Sequence, residues 1–180
     1  MSIPIPLTKL KAIMLYFANN TNPRYAGKIK FMKLFYFLDF LHVKKYLTPV
    51  TGDQYFNLDK GPIPAVILHM IDELLLDPES SKIADTIAVE TPKGSKMQKI
   101  IPLRKFTNED VKLFSKSEII ILKEVVRRFK NTDTDTIIKL SHAESPWKDT
   151  NYRDPIPYSL AGRDPDSVYT EAEIKELNSL

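Results

Sequence analysis

Residues 31–43 read FMKLFYFLDFLHV, and the reading of this run decides the fold. The run is apolar nearly all round a helix, but Lys33, Asp39 and His42 interrupt it. A membrane-spanning helix needs ~20 consecutive apolar residues, so this run is too short and too charged to be one. A helix that is apolar on every side belongs in the middle of a domain, covered by other elements. Followed to its breakers, the helix is expected over 26–46.

On its N-terminal side, residues 6–18 carry Leu7, Leu10, Met14 and Phe17 three and four apart, the spacing of one helical face. Asn19, Asn20, Asn22 and Pro23 then break the pattern. The opening MSIPIPLTKLKAIMLYF lacks the basic-then-apolar order of a signal peptide.

On the C-terminal side, Leu47 to Pro64 reads as a connection that braces two helices. Gly52 permits a positive φ in a Thr51-Gly52-Asp53 turn, whose Thr and Asp side chains can bond nearby backbone groups. Tyr55 and Phe56 should point to opposite sides of a short extended segment. Lys60-Gly61-Pro62 should bend the chain into a third helix, Pro64 to about Leu76, with Ile63, Ile67, Met70 (or Ile71) and Leu74 on one face. Residues 85–91 and 97–103 are short, β-branched and separated by PKGSK, which predicts a hairpin with Pro102 at an edge or bulge.

Capping boxes follow at Thr107/Asp110 and Ser115/Glu118. The second opens a helix over 116–130 with Ile119, Leu122, Val126 and Phe129 inward, and with a Glu124–Arg128 pair outside. Thr132 or Asp133 caps a short helix ending near Ser141. Thr170 and Glu173 box a last helix over 171–179. The chain has 180 residues, 43% hydrophobic and 27% charged, which suits one folded domain rather than disorder. The expectation is a mainly α-helical α+β domain over 1–180, with a small antiparallel β-hairpin or sheet. Within it, 149–169 should be an irregular proline-rich segment.

Several groupings imitate chemistry. Asp39 and His42 share a helical face, as a carboxylate-oriented general base would, but a hydrogen-bonded polar stripe is the plainer reading. DTDTIIKLSHAE (133–144) has acidic residues at three EF-hand positions, yet two isoleucines stand at its fifth and sixth. Ser141, His142, Glu144 and Ser145 name the parts of a hydrolase triad but are sequence neighbours, which is poor support for one. His42, His69 and His142 lack ligand spacing, and no cysteine is present, so neither a metal nor a cofactor is expected. The absence of cysteine also suits a reducing cytoplasm. Five scattered glycines form no phosphate-binding motif. Lys93, Lys96 and Lys99 on the hairpin could touch phosphates, although solvated charge explains them as well. The net charge of +3 suits an acidic partner without identifying nucleic acid.

Three segments taken in order carry a family resemblance: KLFYFLDFLHVKKYLTPVTGDQYFNLDKGPIPAVI (33–67), SKSEIIILKEVVRRF (115–129) and LSHAESPWKDT (140–150). Together they resemble the Panacea domain of SocA-like antitoxins, with Leu47 standing where the pattern usually has a small turn residue. The resemblance implies a cytoplasmic, non-enzymatic antitoxin of a bacterial or phage toxin–antitoxin system. Such a protein neutralises a co-encoded protein toxin by direct binding. The motif positions it singles out, structural or toxin-contacting, are Tyr36, Asp39, His42, Thr51, Gly52, Asp53, Tyr55, Gly61, Pro62, Ser141, His142, Pro146 and Trp147. The competing readings are a small hydrolase-like enzyme using Asp39, His42 and Asp53, and a nucleic-acid-binding regulator using the Lys93–Lys99 hairpin.

Overall fold

The computed structural model describes residues 5–178. Its framework is α1 (Leu7–Asn20), α2 (Lys28–Tyr46), α3 (Ala65–Leu76), α5 (Lys116–Phe129) and α6 (Thr134–His142), with the single turns α4 (Asn108–Val111) and α7 (Ser145–Lys148) and a closing α8 (Glu171–Asn178). Ser179, expected in the last helix, lies outside the described residues. The architecture is α+β and mainly helical. Among the described residues no helix is long and apolar enough to cross a membrane.

α2 runs through the centre, and every residue from Lys30 to Lys44 is buried. Phe17 of α1 packs edge-on against Phe31 and Phe35, and Phe37 stacks on Phe129 of α5 at 4.3 Å between centroids. The inward face of α5 is Ile121, Leu122, Val125, Val126 and Phe129, whereas Ile119 is only half-buried. The apolar stripe is therefore wider than Ile119, Leu122, Val126 and Phe129 alone would make it. Both capping boxes form, and Asp133 accepts from Thr136 N to open α6.

The predicted hairpin is present as β3 (Ile87–Glu90) and β4 (Lys99–Pro102), with Pro102 opposite Ile87 in a two-stranded sheet whose β4 side is bridged by Gly27. A second sheet differs from expectation. β1 (Tyr55–Leu58) and β2 (Gly61–Pro64) form an antiparallel hairpin where a bend was expected, and β5 (Pro155–Ile156) adds a third strand beside β1. The proline-rich segment expected to be irregular thus holds regular pieces, since a 3-10 helix (Tyr158–Arg163) follows β5. Proline cannot donate to a ladder, so Pro62, Pro64 and Pro155 hid these strands; each sits at an edge or a strand start.

Candidate functional site

α2 carries Asp39 into the interior, where it is 0% exposed. The chain leaves α2 through Leu47, which adopts the left-handed conformation (φ 71°), and folds back over the helix. Val50 N and Thr51 N then donate to Asp39 Oδ1 at 2.8 and 2.7 Å, while the Thr51 hydroxyl and Tyr55 Oη (2.8 Å) donate to Oδ2. Gly52, at φ 67°, turns the chain so that Asp53 N donates to Thr51 Oγ1 at 3.1 Å. The Asp53 carboxylate in turn accepts from Val66 N and Ile67 N at 3.0 Å. These are orphan donors of the first turn of α3, whose own N-cap, Pro64, has no side chain that could accept them. Tyr158 Oη lies 2.7 Å from Asp53 O and 3.3 Å from Asp39 Oδ2, so its one proton goes chiefly to the carbonyl. Burial pushes Asp39 up to about 6, against the pull of its Thr51 and Tyr55 donors. Burial likewise raises Asp53 against the backbone donors of α3.

His42 faces elsewhere. A carbonyl only accepts, so Nδ1–H donates to Thr48 O, and the Ser117 hydroxyl is left to donate to Nε2 at 3.0 Å. Burial lowers its pKa, which keeps the ring neutral. The ring bonds the loop and α5 rather than Asp39, so the two do not form a dyad.

A second grouping surrounds the β1–β2 turn. Lys33 is 0% exposed, and its ammonium donates to Pro62 O at 2.6 Å; burial pushes it down to about 7. Gly61 (φ 87°) leaves room for this approach, because a Cβ there would lie 2.7 Å from Ser141 Oγ, 2.9 Å from Lys33 Cε and 3.2 Å from His142 Nε2. Ser141 Oγ donates to Ile138 O, one turn back in its own helix. The His142 ring stacks on Trp147 at 3.8 Å, and its Nε2, although buried, has no hydrogen-bond partner among the described residues. Trp147 Nε1 reaches Leu58 O at 3.5 Å, and Pro146 is buried in the turn that positions it.

A third grouping joins α2 to the tail. Tyr36 Oη donates to Glu144 Oε2 at 2.7 Å, and the Lys44 ammonium lies 2.9 Å from Glu144, Asp164 and Asp166. Burial works against the Lys44 charge, but the three carboxylates prevail and raise it to about 12.

The hydrolase-like triad is therefore not built: Ser141, His142 and Glu144 each face a different partner. The EF-hand imitation is the helix α6, and among the described residues no group of His, Asp or Glu could hold a metal ion. Lys93 and Lys96 are exposed on the β3–β4 loop, while Lys99 is half-buried. Lys33, Lys44 and Tyr158 were not singled out from the sequence as site residues, and Glu144 was named only in the triad imitation. The first two had a usable signal, since a charged residue on a helix apolar all round must be buried.

Thus Tyr36, Asp39, His42, Thr51, Tyr55 and Pro62 tie α2 to the chain packed over it, while Asp53 caps α3 and Trp147 links His142 to the β1–β2 turn. Residues 31–148 match the family model described as antitoxin SocA-like, Panacea domain. The chain belongs to this family. A search of curated proteins and a search of solved structures each find no match. In this chain the family span stops at the end of α7, so β5 and Tyr158, which close over Asp39 and Asp53, come from beyond it.

Proposed function

We propose that this protein is the antitoxin of a bacterial or phage toxin–antitoxin pair and that it neutralises a co-encoded toxin protein by direct binding. The family match over residues 31–148 carries this reading. The chain acts as one cytoplasmic domain over 1–180, without catalysis, and without a cofactor. Its motif residues build the frame that shapes a contact surface. The hydrogen bonding of the motif carboxylates supports that role, because the polar atoms of Asp39 and Asp53 are engaged by donors of their own chain rather than turned to solvent.

The test is to clone the adjacent open reading frame under an inducible promoter, alone and with this chain. Growth arrest by the neighbour alone, relieved on co-expression with recovery of a complex, is the expected result. An arrest that co-expression leaves unrelieved overturns the reading.

A further inference from the structure

A groove of about 640 Å³ opens between the first turn of α2, the β1–β2 hairpin, α3 and the loop leading into β4. Its floor is apolar: Met32 and Ile63 are buried there, and Ile29, Leu68 and Met97 are half-buried around them. Three lysines stand in its lining, Lys28, Lys60 and Lys96, against one acid, Asp59. Lys28 is paired with Asp72, but Lys60 and Lys96 are exposed and have no ion-pair partner among the described residues. An apolar floor beneath unpaired cations suits an occupant that carries aliphatic side chains flanked by carboxylates.

The backbone around the groove narrows the form of that occupant. β2, the sheet edge beside it, holds Pro62 and Pro64, which have no N–H to offer an added strand. The segment before β4 and β4 itself are already bonded to the start of α2 and the residues just ahead of it, with Lys28 N donating to Gln98 O and Ile100 N to Ala26 O, both at 2.8 Å. Strand addition therefore has no free template on either side. Side chains must enter the groove from outside, as they do when an amphipathic helix docks.

We propose that this groove receives an amphipathic helix of the partner protein, its apolar face flanked by Asp or Glu. The inference rests on the antitoxin reading above and locates the surface that holds the toxin.

The test uses the full chain and the product of the adjacent open reading frame, scored by growth rescue and by affinity of the purified pair. Leu68→Glu, which places a charge in the groove, should weaken binding about tenfold or more, as truncation of a central anchor does. Lys60→Glu combined with Lys96→Glu changes only exposed positions, so it tests the rim even if Leu68→Glu fails to fold. It should weaken binding and flatten its salt dependence, with recovery when acidic residues of the partner are reversed to lysine. Lys123→Glu, on the exposed face of α5, should bind as the wild type does. If the wild type rescues and both groove variants bind equally well, the groove assignment falls and the antitoxin reading stands. If the wild type neither rescues nor binds, the antitoxin reading falls and this inference with it. Salt-sensitive binding of a short DNA or RNA duplex at physiological salt, lost in the double lysine variant, would assign the rim to nucleic acid and overturn the proposal.

Discussion

Asp39 and Lys33 lie on the same helix, both 0% exposed, and the structure accommodates their charges in opposite ways. Asp39 is surrounded by donors: two backbone N–H groups, the Thr51 hydroxyl and the Tyr55 phenol. Among the described residues Lys33 meets only Pro62 O, and burial lowers its pKa to about 7. A buried ionisable group persists either by collecting dipoles around its charge or by giving the charge up. Asp39 follows the first course and so fastens the 47–55 segment to α2. Lys33 leans towards the second and acts more as a long apolar stem with a weakly held donor.

The contrast predicts unequal damage. Asp39→Ala should destabilise the fold by about 3–5 kcal/mol, because four donors lose their acceptor inside the protein. Urea denaturation measures it, and a loss under ~1 kcal/mol would mean that the loop does not depend on this carboxylate. Gly61→Ala strikes the other pole. Its Cβ would press on Lys33 Cε and Ser141 Oγ at a positive φ, so a cost of about 2–4 kcal/mol is expected from strain and overpacking together. Gly52→Val disturbs only the turn that presents donors to Asp39. At φ 67° a β-branched residue should cost about 1–3 kcal/mol, and a melting temperature equal to wild type would show that the turn relaxes freely.

The parts of this arrangement that were legible beforehand are those written in local signals. The Ser115/Glu118 box placed the start of α5 correctly, and the largely apolar run placed α2 over 28–46 where 26–46 was expected. Leu47, conspicuous as a departure from the family pattern, does occupy a left-handed position that glycine takes without strain. The β1–β2–β5 sheet was not legible. Its prolines argue against strands locally, and Tyr55 pairs with Ile156, a partner whose two-residue strand has no periodicity of its own. The Asp39 cluster was half visible. Thr51 and Tyr55 were named with it through the resemblance, while Tyr158 arrives from the far end of the chain through tertiary packing alone.

The smallest expected effect at neutral pH is also the one that best separates the two buried charges. In the unfolded chain Lys33 keeps its proton up to about 10.5, whereas in the fold it loses it near 7. Between those values the unfolded state binds more protons, so the contribution of Lys33 to stability rises with pH and is poorest below 7. Asp39 has the reverse slope. Its folded pKa of about 6 lies above the unfolded 3.8, so across that window the folded state holds the extra proton and stability falls as pH rises. Lys33→Met removes one slope and leaves the other. Near pH 7 it relieves a buried charge but leaves Pro62 O without a donor, for a net stabilisation of about 1–2 kcal/mol. That gain should shrink as pH climbs above 7 and reverse towards pH 10, where the neutral amine keeps its bond to Pro62 O. Asp39→Asn should instead flatten the loss between pH 4 and 6 and leave the alkaline limb untouched. Denaturation midpoints for the wild type and both variants from pH 4 to 10 measure both slopes. A Lys33→Met difference that stays constant over that range would show that Lys33 is equally charged in the folded and unfolded chains, and the contrast between the two poles of α2 would not hold.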